Sequence, residues 1–128
     1  MSFGARAKIR LGALRHNFEV LKKAVPGSRV MAVIKGNAFG HGLLPVANAL
    51  DAADSFAVAR LSEALALREA GIGKPIVLLE GYTDRPELEI AARQGFEPVI
   101  HTSRQVDLLA AEGLCLGGSS GVNIAGAM

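Results

Sequence analysis

Lys35 ends an apolar run (Val30, Met31, Ala32, Val33, Ile34) and opens a glycine-rich stretch of Gly36, Asn37, Ala38, Phe39, Gly40, His41 and Gly42. Unbroken apolar and β-branched residues predict a strand over residues 29–34. Such a strand delivers a primary amine to its C-terminal edge, where α/β folds gather their reacting groups. An amine held there, partly out of water, has its pKa pulled down and can attack a carbonyl to form a Schiff base. The glycines let the backbone approach a ligand closely. A lysine that merely snorkels its charge into solvent would satisfy the same position.

Other reactive residue types carry less. His16, His41 and His101 are scattered without metal-ligand spacing and read as surface or loop histidines, so no metal is expected. Glu63, Arg68 and Glu69 share a helix and are most simply a solvated face with local ion pairs. Tyr82 follows a strand without a recognisable motif and is assigned no catalytic role. Residues 36–42 lack the lysine-serine/threonine ending of a P-loop, and their glycines do not follow dinucleotide spacing.

The chain has 128 residues, enough for one compact unit, with 50% hydrophobic and 20% charged residues, as in a globular domain. A net charge of +2, dispersed basic residues and no Trp argue against nucleic acid as a partner. No apolar run approaches the ~20 residues of a membrane span, and the N-terminus lacks a signal core, so no membrane partner is expected. The single cysteine, Cys115, cannot form an internal disulfide, which fits a cytoplasmic protein.

The elements that must position Lys35 alternate strand and helix. Leu14, Phe18, Leu21 and Val25 share a helical face that Pro26 and Gly27 end. After the lysine strand comes a helix with Leu43, Ala47 and Leu50, then a strand over residues 56–59 and a helix with Leu61, Ala64 and Leu65. Residues 75–79 form a strand without polar alternation, as when both faces are buried. Asp84 caps the next helix, with Pro86 in its first turn and Glu87 completing a capping box; a strand over residues 98–100 follows. Thr102 and Gln105 repeat the box before a helix with Val106, Leu109 and Ala110. Gly71, Gly95 and Gly113 each sit where a left-handed residue ends a helix. The fold class is therefore α/β, a parallel (β/α) barrel of which this chain holds about half, since a full barrel takes ~250 residues. Ahead of it, Ala7, Ile9 and Leu11 alternate with Arg6, Lys8 and Arg10, the pattern of a half-exposed antiparallel-type strand.

The string from Ala32 to Gly42, with Val33, Ile34, Lys35, Gly36, Asn37, Ala38, Phe39, Gly40 and His41 between, resembles the alanine racemases. Their pyridoxal-phosphate lysine sits in a Lys-Ala-Asn-Ala-Tyr-Gly-His-Gly motif. Residues 7–17 look like that family's opening segment, as do residues 56–59 followed by Glu63 and residues 67–71. The resemblance runs from about Ala5 to about Glu112. Gly36 replaces the motif's alanine, and Phe39 replaces a tyrosine whose hydroxyl donates to the cofactor phosphate.

The resemblance implies a pyridoxal-phosphate cofactor on Lys35, with Phe39 and Val33 beside it; Val33 serves equally as plain barrel core. It implies interconversion of L- and D-alanine for peptidoglycan synthesis in a bacterial cytoplasm, with a tyrosine of a partner subunit as the second acid/base. Residues 1–11 then correspond to a strand that joins a separate β domain, and residues 12–112 to half of the barrel. Residues 113–128 form a glycine-rich, charge-free tail. The alternation demands a fifth strand there, yet nothing in the tail matches the family's fifth-strand sequence; early termination or a frame change would each give such an ending. The chain alone is expected to be inactive and to self-associate or form a homodimer. Two other readings share these residues: a related amino-acid racemase or decarboxylase of this fold type, or a non-catalytic half-barrel that binds cofactor or a partner.

Overall fold

A computed structural model describes residues 4–113 and 123–124. In chain order the elements are α1 (Leu11–Ala24), β1 (Met31–Val33), α2 (Lys35–Phe39), α3 (Leu43–Ala49), β2 (Ser55–Val58), α4 (Leu61–Glu69), β3 (Ile76–Leu78), α5 (Arg85–Gln94), β4 (Glu97–Ile100), α6 (Ser103–Ala111) and β5 (Asn123–Ile124). The strands form one sheet in the order β1-β2-β3-β4-β5, every neighbouring pair parallel. Sequential order with parallel pairing is the arc of a (β/α) barrel, as the alternation predicts. Among the described residues, β1 and β5 are the edges of this sheet.

Side-chain alternation along the strands divides the core. Ile34, Phe56, Val58, Ile76 and Leu78 pack with Val46, Ala47, Leu50, Ala64 and Leu67 of the helices. Each large side chain so buried contributes about 1.5–3 kcal/mol. A smaller cluster of Ala57, Val77 and Val99, with Leu79 against it, lies on the other face, the side a closed barrel would enclose. Strand register continues this row to β1, where Val33 pairs with Ala57 and Ala57 with Val77.

Helix ends follow the local chemistry read from the sequence. Asp84 accepts from the Glu87 N–H at 3.0 Å. Glu87, however, takes the Thr83 N–H at 2.8 Å rather than that of Asp84, so the reciprocal half of this box reaches one residue further back. At α6 the box closes, with Thr102 and Gln105 each accepting from the other's backbone. Gly71, Gly95 and Gly113 have φ of 88°, 69° and 69°, the left-handed ends that only glycine adopts without cost.

Two expectations change and a third is met. Residues 5–10 are exposed and carry no assigned strand, and Leu11 already begins α1. Alternation supplies the side chains of a strand, but a ladder needs a partner, and none pairs with this segment among the described residues. The apolar face of α1 is only partly covered: Phe18 is buried, but Leu21 remains 51% exposed. The fifth strand that the alternation demands is present as β5, where Val99 pairs with Asn123 and Ile100 with Ile124. The rest of the expected tail beyond Gly113 lies outside the described residues.

Candidate functional site

β1 carries Lys35 to the C-terminal edge of the sheet, as its apolar run predicts. Among the described residues no hydrogen bond or ion pair engages the amine, and the side chain is exposed in this chain, not partly desolvated as expected. The residues after it do not form an ordinary loop. Gly36, Asn37, Ala38 and Phe39 have φ of 61°, 55°, 54° and 55°, so α2 is a left-handed helical turn. Left-handed backbone costs roughly 1–2 kcal/mol for each residue with a Cβ, and less for Asn. Three consecutive non-glycine residues in that region need external support.

Asn37 organises the support. Its carbonyl accepts from Gly40 N–H at 3.1 Å and Gly42 N–H at 3.0 Å. Its side-chain oxygen accepts from Leu43 N–H at 2.8 Å, satisfying a free donor at the start of α3. Its own N–H donates to Glu63 Oε2 at 3.2 Å, across 26 residues of sequence. The other Glu63 oxygen accepts from Ala59 N–H at 3.2 Å, at the end of β2. The His41 ring Nδ1 meets Ala38 O at 3.0 Å, tying the end of the motif back onto the turn.

Glu63 is therefore not part of a solvated ion-paired face. Neither is Arg68, whose guanidinium donates to Ile72 O at 2.8 Å and Lys74 O at 2.7 Å and lies 5.1 Å from the Phe96 ring centroid. Burial lowers the Arg68 pKa from its ordinary value. Glu69 alone fits the expected exposed role. The sequence marked Asn37 as a residue tolerant of left-handed backbone; the long-range reach of Glu63 has no local signature.

Val33 and Phe39 both lie at the edge of the sheet beside β1. Both line a groove of about 540 Å³ with Ile34, Ala38, Leu14 and His41. Phe39 is 64% exposed and Val33 is 40% exposed. Val33 is thus not packed as plain core in this chain. Lys35 is not among the residues that line this groove. A second cavity of about 440 Å³ lies at the C-terminal ends of β2 and β3, between Arg60, Ser62, Glu80 and Thr83. Arg60 and Glu80 pair across it at 3.3 Å, both largely exposed, a geometry of small energetic weight.

Tyr82 is buried, and its hydroxyl donates to Gln105 O. Burial raises its pKa. This is an anchoring role between β3 and α6. His16, His41 and His101 are all exposed, and among the described residues no cluster of His, Cys, Asp or Glu could hold a metal ion. No helix among the described residues is long and apolar enough to cross a membrane.

Residues 9–125 match the family model of the alanine racemase N-terminal domain, extending the likeness past Glu112 into β5. The alanine racemase of Thioalkalivibrio sulfidiphilus is 52% identical over 111 residues, covering 85% of this chain and 31% of that protein. The structure of alanine racemase from Acinetobacter baumannii superposes with a TM-score of 0.80 at 32% identity, over 91% of this chain and 34% of that one. The alanine racemase from Bartonella henselae with covalently bound pyridoxal phosphate superposes with a TM-score of 0.71 at 29% identity, over 83% of this chain and 33% of that one. The chain thus spans about a third of the length of these proteins. A parallel arc whose first strand ends in the lysine motif, matched along nearly all of its length, places this chain in the alanine racemase family.

Proposed function

We propose that these 128 residues supply the lysine half of a pyridoxal-phosphate-dependent racemase that interconverts L- and D-alanine. The observation that carries this reading is Lys35 itself: a primary amine at the C-terminal edge of β1, followed by a turn that the family's motif spells out. The residues present fit the cofactor. The amine is unengaged among the described residues, and Val33 and Phe39 offer an apolar wall along the same strand edge. Phe39 lacks the hydroxyl of the motif's tyrosine, so phosphate contact at this position is weaker than in that motif.

When bound, pyridoxal phosphate draws electrons away from the α-carbon of an amino acid joined to it. Lys35 would hold the cofactor covalently, then use its released amine to take or return the α-proton on one face of the substrate. Racemisation requires a second acid or base on the opposite face, and no residue of this chain is assigned that role. One missing acid or base lowers the rate by about 10²–10⁴-fold. The chain alone is therefore a slow proton exchanger rather than an efficient racemase, and the full reaction belongs to a dimeric, cytoplasmic assembly with the family's remaining barrel. In that assembly residues 1–11 would find the ladder partner they need in a separate β domain.

The test is to incubate L-alanine and pyridoxal phosphate with the chain in deuterated water. Deuterium should enter the α-carbon faster than with cofactor alone, with little D-alanine formed, and Lys35→Ala should abolish the gain. Exchange that is indifferent to Lys35→Ala would overturn the reading.

A further inference from the structure

We infer that Glu63 is a positioning residue for Lys35, its carboxylate latching the left-handed turn that carries the lysine onto the end of β2. The inference rests on the cofactor reading above only for what the lysine does; the latch itself stands on this chain's geometry. Glu63 occupies the first turn of α4, where a glutamate commonly accepts from backbone just upstream. Glu87 does this in α5, and both its hydrogen bonds go to Thr83. Glu63 divides its oxygens instead. One takes the local Ala59 N–H; the other takes the Asn37 N–H of a different βα unit.

This second bond decides the matter. Asn37, Ala38 and Phe39 all hold positive φ, a backbone that relaxes unless the surroundings over-determine it. The turn's other ties run to its own strand end and to α3, which immediately follows it. Among the described residues, Glu63 alone links it by a side-chain hydrogen bond to the neighbouring strand, since Ala59 directly follows β2. The lysine immediately before the turn inherits its direction from this link. A charged acceptor on two N–H donors is also the stronger kind of hydrogen bond.

Amide hydrogen exchange of the 128-residue chain, resolved to single residues, tests the latch without any cofactor. Glu63→Ala should accelerate exchange at Asn37 and Ala59 by about ten- to hundredfold and leave Val77 and Leu78 of β3 unchanged. Glu63→Gln keeps the shape and one acceptor oxygen, so it should open Asn37 less than Glu63→Ala does. Should Glu63→Ala not fold, Glu63→Gln against wild type carries the comparison. Wild-type exchange at Asn37 in both variants overturns the inference.

The positioning role is read by trapping pyridoxal phosphate with borohydride and mapping the labelled lysines. The share of label on Lys35 should fall by about tenfold in Glu63→Ala, while Lys22 and Lys74 label as before; a general loosening of the fold would raise all of them. An unchanged Lys35 share in a variant whose Asn37 amide has opened also overturns the inference. Even labelling of all lysines in the wild-type chain would instead defeat the cofactor reading, and the exchange result would then decide the latch by itself.

Discussion

At Phe39 a single atom would tune the proposed site. Its ring stands at the groove along β1, where the resembling motif has a tyrosine. Phe39→Tyr adds a hydroxyl able to donate to a phosphate, a charge-assisted bond of about 1.5–3 kcal/mol. Pyridoxal phosphate should therefore bind about ten- to hundredfold more tightly, as measured by equilibrium titration; an unchanged affinity would mean that the ring does not face the phosphate. The place of Lys35 at a strand end was legible in the sequence because a strand end followed by glycines is a local pattern, whereas Phe39 drew notice only through the resemblance. Glu63 was not legible, because its decisive partner lies in another βα unit, and only the closure of β1 against β2 brings the two together. The same limit applied to Arg68, whose carbonyl partners beyond the helix end redirect it away from an ion pair.

Strands, helices and caps followed from periodicity and end chemistry, because each depends on neighbours in sequence. The strand expected over residues 5–11 is not assigned among the described residues, since its pattern is local but its ladder needs a partner strand. Two elements carry predictions. In α2, a Cβ at Gly36 would meet nothing within 4 Å, yet φ there is +61°. Gly36→Ala should therefore cost about 1 kcal/mol through backbone alone, seen as a lower denaturation midpoint with unchanged m-value; no loss would show that the turn relaxes freely. The entry to β1 is tied to the entry to β2 by Asp54, which accepts from Val30 N–H at 2.6 Å and lies 3.6 Å from Lys22. The backbone hydrogen bond, then the lysine charge, hold the Asp54 pKa below its ordinary value. A depressed folded-state pKa stabilises the fold above the unfolded value of about 3.9, and that contribution is lost as pH falls through the folded value. Asp54→Asn should flatten this part of the stability curve; an identical acid dependence in the variant would assign the loss elsewhere.

At the scale of the molecule, the arc gives β1 and β5 one neighbour each among the described residues. Met31, Val33 and Phe39 are exposed along one of these edges, and Val20 and Leu21 on the adjoining helix α1. Unpaired parallel edges beside exposed apolar side chains favour association. The chain should sediment as more than a monomer at micromolar concentration, with Phe39→Ser or Met31→Lys shifting it toward monomer; a compact monomer that unfolds cooperatively would count against this. The half-barrel itself was legible from the strand–helix alternation, whereas which surfaces stay open could be seen only once the strand order was known.

Everything proposed for this chain turns on Lys35 being the amine that takes the cofactor. The most direct measurement is reductive trapping: pyridoxal phosphate is added to the wild-type chain, borohydride fixes the label, and peptide mass spectrometry locates it. Lys35 should be labelled first and well ahead of Lys8, Lys22, Lys23 and Lys74, and Lys35→Ala should remove this early label without enriching another site. Label spread evenly over these lysines, or early label that survives Lys35→Ala, would contradict it.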